Sequence, residues 1–130
     1  MGRAEQYSPL FRRLISDWRE MRHSPDMPFY FVQLSAYLKP SLVQPESGWA
    51  ALRQAQADAL SLDNTAMAVT IDIGDSADIH PKNKQEVARR LSLIALKRSY
   101  GVGGVVDTAP SRCRAATPAV VPSLSSTATS

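Results

Sequence analysis

The chain has 130 residues, is 44% hydrophobic and 21% charged, and carries a net charge of +3 with one cysteine and two histidines. That is the make-up of one small globular domain, or a piece of a larger one, with enough apolar side chains to bury a core. A lone Cys113 excludes an internal disulfide framework and all-cysteine or cysteine–histidine zinc sites; with only His23 and His80 besides, no metal or cofactor is expected.

The slight positive excess gives no reason to expect a nucleic-acid partner. No run of about 18 apolar residues is present. The opening Met1–Gln6 turns polar at once, without the apolar middle of a signal peptide. Neither a membrane span nor an export address is therefore expected, and the compartment is left unassigned.

Along the chain, Ser8-Pro9 has the form of an N-cap followed by proline at the first helical position. Leu10, Phe11, Leu14, Ile15, Trp18 and Met21 then recur at helical spacing, with Arg12, Arg13, Asp17 and Glu20 between them. Ser24-Pro25-Asp26 and Pro28 stop that helix. The aromatic run from Phe29 to Leu34 predicts a buried strand, Pro40 to Gly48 a loop, and Trp49 to Leu60 a second helix. Asp63-Asn64 is a turn. Ala66 to Ile73 lacks clean alternation, as a parallel strand covered on both faces does.

A polar loop runs from Gly74 to Ile79, Pro81 opens a third helix with Val87, Leu91, Ile94 and Ala95 on one face, and Tyr100-Gly101 closes it. Helix, strand, helix, strand, helix requires right-handed crossovers and a parallel sheet, so the expected class is α/β. From residue 101 onward, 20 of 30 positions are Ala, Ser, Thr, Pro or Gly. A structured body over residues 1–101 and a low-complexity, disordered tail over 102–130 are expected, with Val102–Val106 as a candidate strand.

Ligands of parallel sheets bind beyond the carboxyl ends of the strands. Here the second strand leads into Asp72, Asp75 and Asp78 and then His80, placed by this reading at a helix start. The positive end of a helix disfavours imidazolium, and a neutral imidazole is what a general base must be. A neighbouring carboxylate would fix its tautomer. The plain alternative is that His80 caps the helix and the three aspartates are solvated.

Seven segments, read together, carry a resemblance. They are Leu14-Ile15-x-Asp17-Trp18-Arg19, Pro28 to Leu34, Trp49-x-x-Leu52-Arg53-x-x-Gln56, Met67 to Asp75, Ile79-His80-Pro81-Lys82-Asn83-Lys84, Arg90-Leu91 and Tyr100-Gly101. In this order the chain resembles the carboxyl-terminal part of sialate O-acetylesterases and related carbohydrate acetylesterases, members of the SGNH hydrolase superfamily. The resemblance implies part of a three-layer α/β/α sandwich lacking its amino-terminal half, and a serine esterase that removes O-acetyl groups from sugars. It makes His80 the catalytic histidine. The superfamily's acid stands three residues before the histidine, where this chain has Ala77; Asp75 is preferred instead, with Asp78 as the alternative.

Arg53 and Gln56 match family positions, either as ties between the second helix and its neighbouring loops or, for Arg53, as a substrate contact. The family's Gly-Gln-Ser-Asn nucleophile motif and its Gln-Gly-Glu-x-Asn segment do not occur in the sequence. Gly74-Asp75-Ser76 spells the superfamily's nucleophile signature but stands four residues from His80 on one loop, where that serine does not belong. A truncated chain, inactive alone, is therefore expected. The competing expectation is a non-catalytic sugar-binding module lined by Asp75, Asp78, His80 and Arg53.

For the truncated chain, self-association through uncovered sheet edges is expected. The basic last helix (Lys82, Lys84, Arg89, Arg90, Lys97, Arg98) reads as a solvated face rather than a phosphate-binding one.

Overall fold

The computed structural model describes residues 3–39 and 47–107. At its centre Phe29–Val32 (β1) pairs in parallel with Thr65–Ala68 (β2), Phe29 opposite Thr65 and Val32 opposite Ala68. A parallel pair needs a long crossover, here the helix Gly48–Ala57 (α2) followed by a 3-10 turn over Asp58–Ser61. The helix Ala4–Met21 (α1) precedes β1, and Lys84–Arg98 (α3) follows β2.

Side chains alternate across a strand, and this sorts the helices into two layers. Phe31 meets α1, its ring edge-on to Phe11 at 5.0 Å. Tyr30, Ala66 and Ala68 face the other way, onto Ile94 and Leu91 of α3. All four residues of β2 are buried, and its two alanines let α3 lie close to the backbone. The α/β class and the parallel pairing expected from the sequence are both present.

Three boundaries differ from expectation, each for a tertiary reason. First, α1 begins at Ala4, so Ser8 is not its cap and Pro9 lies inside it. The first turn is held by Tyr7 stacking on Phe11 at 5.5 Å and by Ala4 and Ser8 lying along the groove to Ala51 and Ala55 of α2. This packing outweighs the hydrogen bond that Pro9 cannot donate.

Second, β2 ends at Ala68 rather than Ile73. The buried Thr70 hydroxyl donates to Gln33 O at 2.6 Å and shares a hydrogen bond with Ser35 Oγ at 2.9 Å, drawing the chain into a 3-10 turn over Ile71–Ile73.

Third, α3 starts at Lys84 rather than near Pro81. Asn83 is its cap, its side chain accepting from Glu86 N–H at 3.1 Å. The turn at Asn64, with φ 52°, and the left-handed Gly101, with φ 65°, stand where the sequence placed them. Of the expected tail, residues 102–107 hold no strand and 108–130 lie outside the described residues, as does 40–46 of the expected loop.

The two outer edges of the sheet are finished differently. Ladder bonds such as Gln33 N to Ala68 O show that odd-numbered residues of β1 point their amides at β2. Even-numbered ones therefore point away. Gln56 reaches this outer edge like a strand neighbour, accepting from Leu34 N–H at 2.9 Å and donating to Val32 O at 3.4 Å. The N–H and C=O of Tyr30 and the N–H of Val32 have no partner among the described residues. On the far side of β2, Arg98 donates to Thr65 O at 3.1 Å and Arg90 to Val69 O at 2.6 Å.

Candidate active site

Beyond the carboxyl ends of β1 and β2 two loops lock together. Besides the Gln33, Ser35 and Thr70 hydroxyl network, Trp49 donates its indole N–H to Ser35 O at 2.8 Å and stacks against Tyr37. Gly74 lies directly on the backbone of Ala36; a Cβ there would run into the Ala36 carbonyl. Its φ of −72° is open to any residue, so glycine is needed here for close approach and not for conformation. This contact fixes where the following loop, residues 75–83, leaves the sheet.

That loop holds the expected site residues. His80 is exposed, its side chain 75% accessible, and its Nδ1 lies 3.1 Å from Asp78 Oδ1, which also accepts the His80 backbone N–H at 2.9 Å. The two bonds define the ring. With Nδ1 donating to the carboxylate, Nε2 is left as the acceptor nitrogen of the neutral imidazole. The His80 backbone N–H, and then its side chain, hold the Asp78 carboxyl below the usual carboxylate range.

Asp75 is turned elsewhere. Its Oδ1 accepts the Ala77 N–H at 2.9 Å and its Oδ2 lies 3.2 Å from Lys82 Nζ; these two groups, in that order, lower its pKa. The structure thus brings Asp78, and not Asp75, to His80. Because α3 begins only at Lys84, His80 does not sit at a helix start as the sequence suggested. It lies three residues ahead of the cap, outside the first turn in which the field of a helix end acts. What orients the ring is a carboxylate two residues away.

Arg53 stands half-buried on α2, and no hydrogen bond joins it to His80, Asp75 or Asp78 among the described residues. Gln56 has the structural role the sequence allowed it, closing the end of the β1 edge. Ser76 is exposed, and no hydroxyl among the described residues bonds to His80.

A pairing the sequence did not reveal anchors the start of this loop. Asp72 receives two hydrogen bonds from Arg90, at 2.6 and 2.5 Å, and Arg90 Nε reaches Glu86 at 2.8 Å. The Arg90 bonds draw the Asp72 pKa from 3.8 to about 2; Arg89, then Arg90, do the same for Glu86, from 4.5 to about 2. Asp72 therefore anchors the turn to α3. Eighteen residues separate Asp72 from Arg90, so no local spacing announces the pair.

Other cations of the last helix also have intramolecular partners. Lys97 and Arg98 bind Asp107 at 2.7 and 2.9 Å. Burial alone would raise the Asp107 pKa, but these two cations bring it below the usual range.

No protein-family model matches the chain. It is 36% identical to the sialate O-acetylesterase of Mus musculus over 112 residues, covering 73% of this chain and 20% of that protein. The Rattus norvegicus and Homo sapiens sialate O-acetylesterases are 38% and 36% identical over the same length. In structure it is similar to a carbohydrate acetylesterase from Xanthomonas citri, with a TM-score of 0.68 and 40% identity over 75% of this chain and 22% of that one. The chain spans about a fifth of the length of these relatives. By sequence and by fold, it is a homologue of one segment of the sialate O-acetylesterase and carbohydrate acetylesterase family.

Proposed function

We propose that this chain carries the histidine–aspartate part of an O-acetylesterase site, His80 as general base and Asp78 as its orienting acid, for acetylated carbohydrates. The observation that carries the reading is the exposed His80 ring, held through Nδ1 by Asp78 on the loop beyond the parallel strands. In this scheme a serine hydroxyl from another segment attacks the acetyl carbonyl and gives its proton to Nε2. Asp78 stabilises the imidazolium that forms, and the proton passes on to the departing sugar oxygen. The nucleophile and the donors for the oxyanion come from outside this chain, so the chain alone is inactive.

Two measurements test this. The chain alone should release no more acetate from p-nitrophenyl acetate than its His80→Ala variant does; turnover that His80→Ala removes would show that the nucleophile is internal. Second, residues 3–107 can replace the matching segment of the Xanthomonas citri enzyme. That chimera should hydrolyse the ester, and His80→Ala should lower kcat by about a thousandfold or more. A folded, active chimera indifferent to His80→Ala would end the proposal.

A further inference from the structure

The loop over residues 75–83 carries two carboxylates, Asp75 and Asp78, and a general base at His80 tolerates only one of them. Asp78 takes Nδ1, which leaves Nε2 as the acceptor that a base needs. A second carboxylate at the ring would favour a proton on Nε2 and end that role, because an anion stabilises the form that turns N–H groups toward it.

What occupies Asp75 is Lys82. Its Nζ lies 3.2 Å from Asp75 Oδ2, while Asp75 Oδ1 accepts the Ala77 N–H at 2.9 Å. The backbone of Lys82 is set in place by its neighbours: Pro81 before it has a fixed φ, and its own carbonyl accepts the Lys84 N–H at 2.9 Å on the way into α3. The cation thus stands two residues after the imidazole, as Asp78 stands two before it. Its charge reaches the second acid as well. The His80 backbone N–H and then the His80 ring hold the Asp78 carboxyl low, and Lys82 adds to them more weakly.

We propose that Lys82 is a positioning residue that selects the acid: by holding Asp75 it leaves Asp78 as the carboxylate that serves His80, and it keeps Nε2 open. The inference rests on the reading of His80 as the base. It gives a physical reason why two aspartates three residues apart are turned to different partners. With its side chain 79% accessible, Lys82 adds little to stability through this pair. Its effect is on which anion meets the ring.

The test is nitrogen NMR of the neutral His80 imidazole in the full chain. Lys82→Met should raise the Nε2–H population about threefold, the scale of an exposed ion pair, while Lys82→Arg, which keeps the cation, should not change it. Adding Asp75→Asn to Lys82→Met should bring back the Nδ1–H form, and Asp75→Asn alone should leave the ring as it was. A bridge that merely tied the loop would disturb the ring equally when broken from either end, and the double variant would not recover. A Lys82→Met spectrum like that of the unmodified chain, a double variant as disturbed as Lys82→Met, or the same disturbance from Asp75→Asn alone would each overturn the proposal.

Kinetics separate it from the reading on which it rests. In the chimera with the Xanthomonas citri enzyme, Lys82→Met should lower kcat about threefold with KM unchanged, and Asp75→Asn should restore the rate. If His80→Ala leaves that chimera at full rate, the esterase reading fails and the spectra still decide the role of Lys82. If His80→Ala abolishes turnover while kcat ignores Lys82→Met, the role of Lys82 alone is overturned.

Discussion

The two flanks of this small sheet are built from the same kinds of element and finished with different side chains. On the β2 side, Arg98 and Arg90 donate to the outward carbonyls of Thr65 and Val69, and Asp72, Glu86 and Asp107 hold the guanidinium groups in place. Covering an edge with charged side chains is how natural sheets stop growing. On the β1 side Gln56 covers one end of the edge, while Tyr30 and Val32 keep outward amides with no partner among the described residues. Arginines take the two end carbonyls of the β2 edge, and the outward amide and carbonyl of Met67 between them have no partner among the described residues. Both edges remain chemically suited to receiving more protein.

The largest expected effect lies beyond the carboxyl ends of the strands, where the loops from both flanks meet. Gly74→Ala would force a Cβ into the Ala36 backbone, and neither loop can move without disturbing the Thr70 and Ser35 hydroxyls. A loss of more than about 3 kcal/mol in urea unfolding is expected. Full stability in that variant would show that the two loops are not locked.

Arg90→Ala comes next. It strips the Val69 carbonyl and leaves Asp72 and Glu86 without their shared cation, and a loss of about 2 kcal/mol is expected from the carbonyl and its desolvated surroundings. A near-neutral result would mean that the Val69 end of the β2 edge is held by something other than this arginine.

Acid should act on the same side. The Asp72 and Glu86 carboxyls have folded pKa values of about 2, below their ordinary 3.8 and 4.5. The folded state therefore binds fewer protons than the unfolded one in that range. Their contribution is fully present above about pH 5 and is lost as the pH falls toward 2. In Arg90→Ala, an unfolding-against-pH curve should be flatter over that interval; an unchanged slope would remove the ion pairs from the explanation.

A smaller effect probes the β1 flank. Val32→Pro deletes an amide that points away from β2 and so spares the ladder, where proline is tolerated at an edge. A cost under about 1 kcal/mol is expected, and a large one would show that this edge is already in use within the folded monomer.

The smallest effect on stability belongs to the site. Asp78→Ala and Asp75→Ala should each leave the exposed loop folded. Nitrogen NMR of the imidazole should show His80 losing its preference for the Nδ1–H tautomer only in Asp78→Ala. The opposite pattern would restore Asp75 as the acid.

How much of this was legible in advance follows from distance along the chain. His80 and its two candidate acids could be found because they lie within six residues of one another. Choosing between the acids could not be done, because Asp75 and Asp78 differ only in how a loop turns them. The capping signal Asn83-x-x-Glu86 was present and outranked Pro81, since a side-chain acceptor satisfies an amide that proline merely lacks. For α1, the apolar spacing was visible, but which apolar residues would be buried was not.

By itself the sequence determined what depends on neighbours: the alternation of helices and strands, the parallel pairing that such alternation forces, the turn at Asn64 and the left-handed glycine at 101. Only the tertiary structure decided the bond from Asp78 to His80, the grip of Arg90 on Asp72, the contact of Gly74 with Ala36, and which side chains meet each sheet edge. The physical reason is range. Backbone conformation answers to side chains a few positions away, whereas an ion pair or a close backbone approach across 18 or 38 residues exists only once the chain has folded.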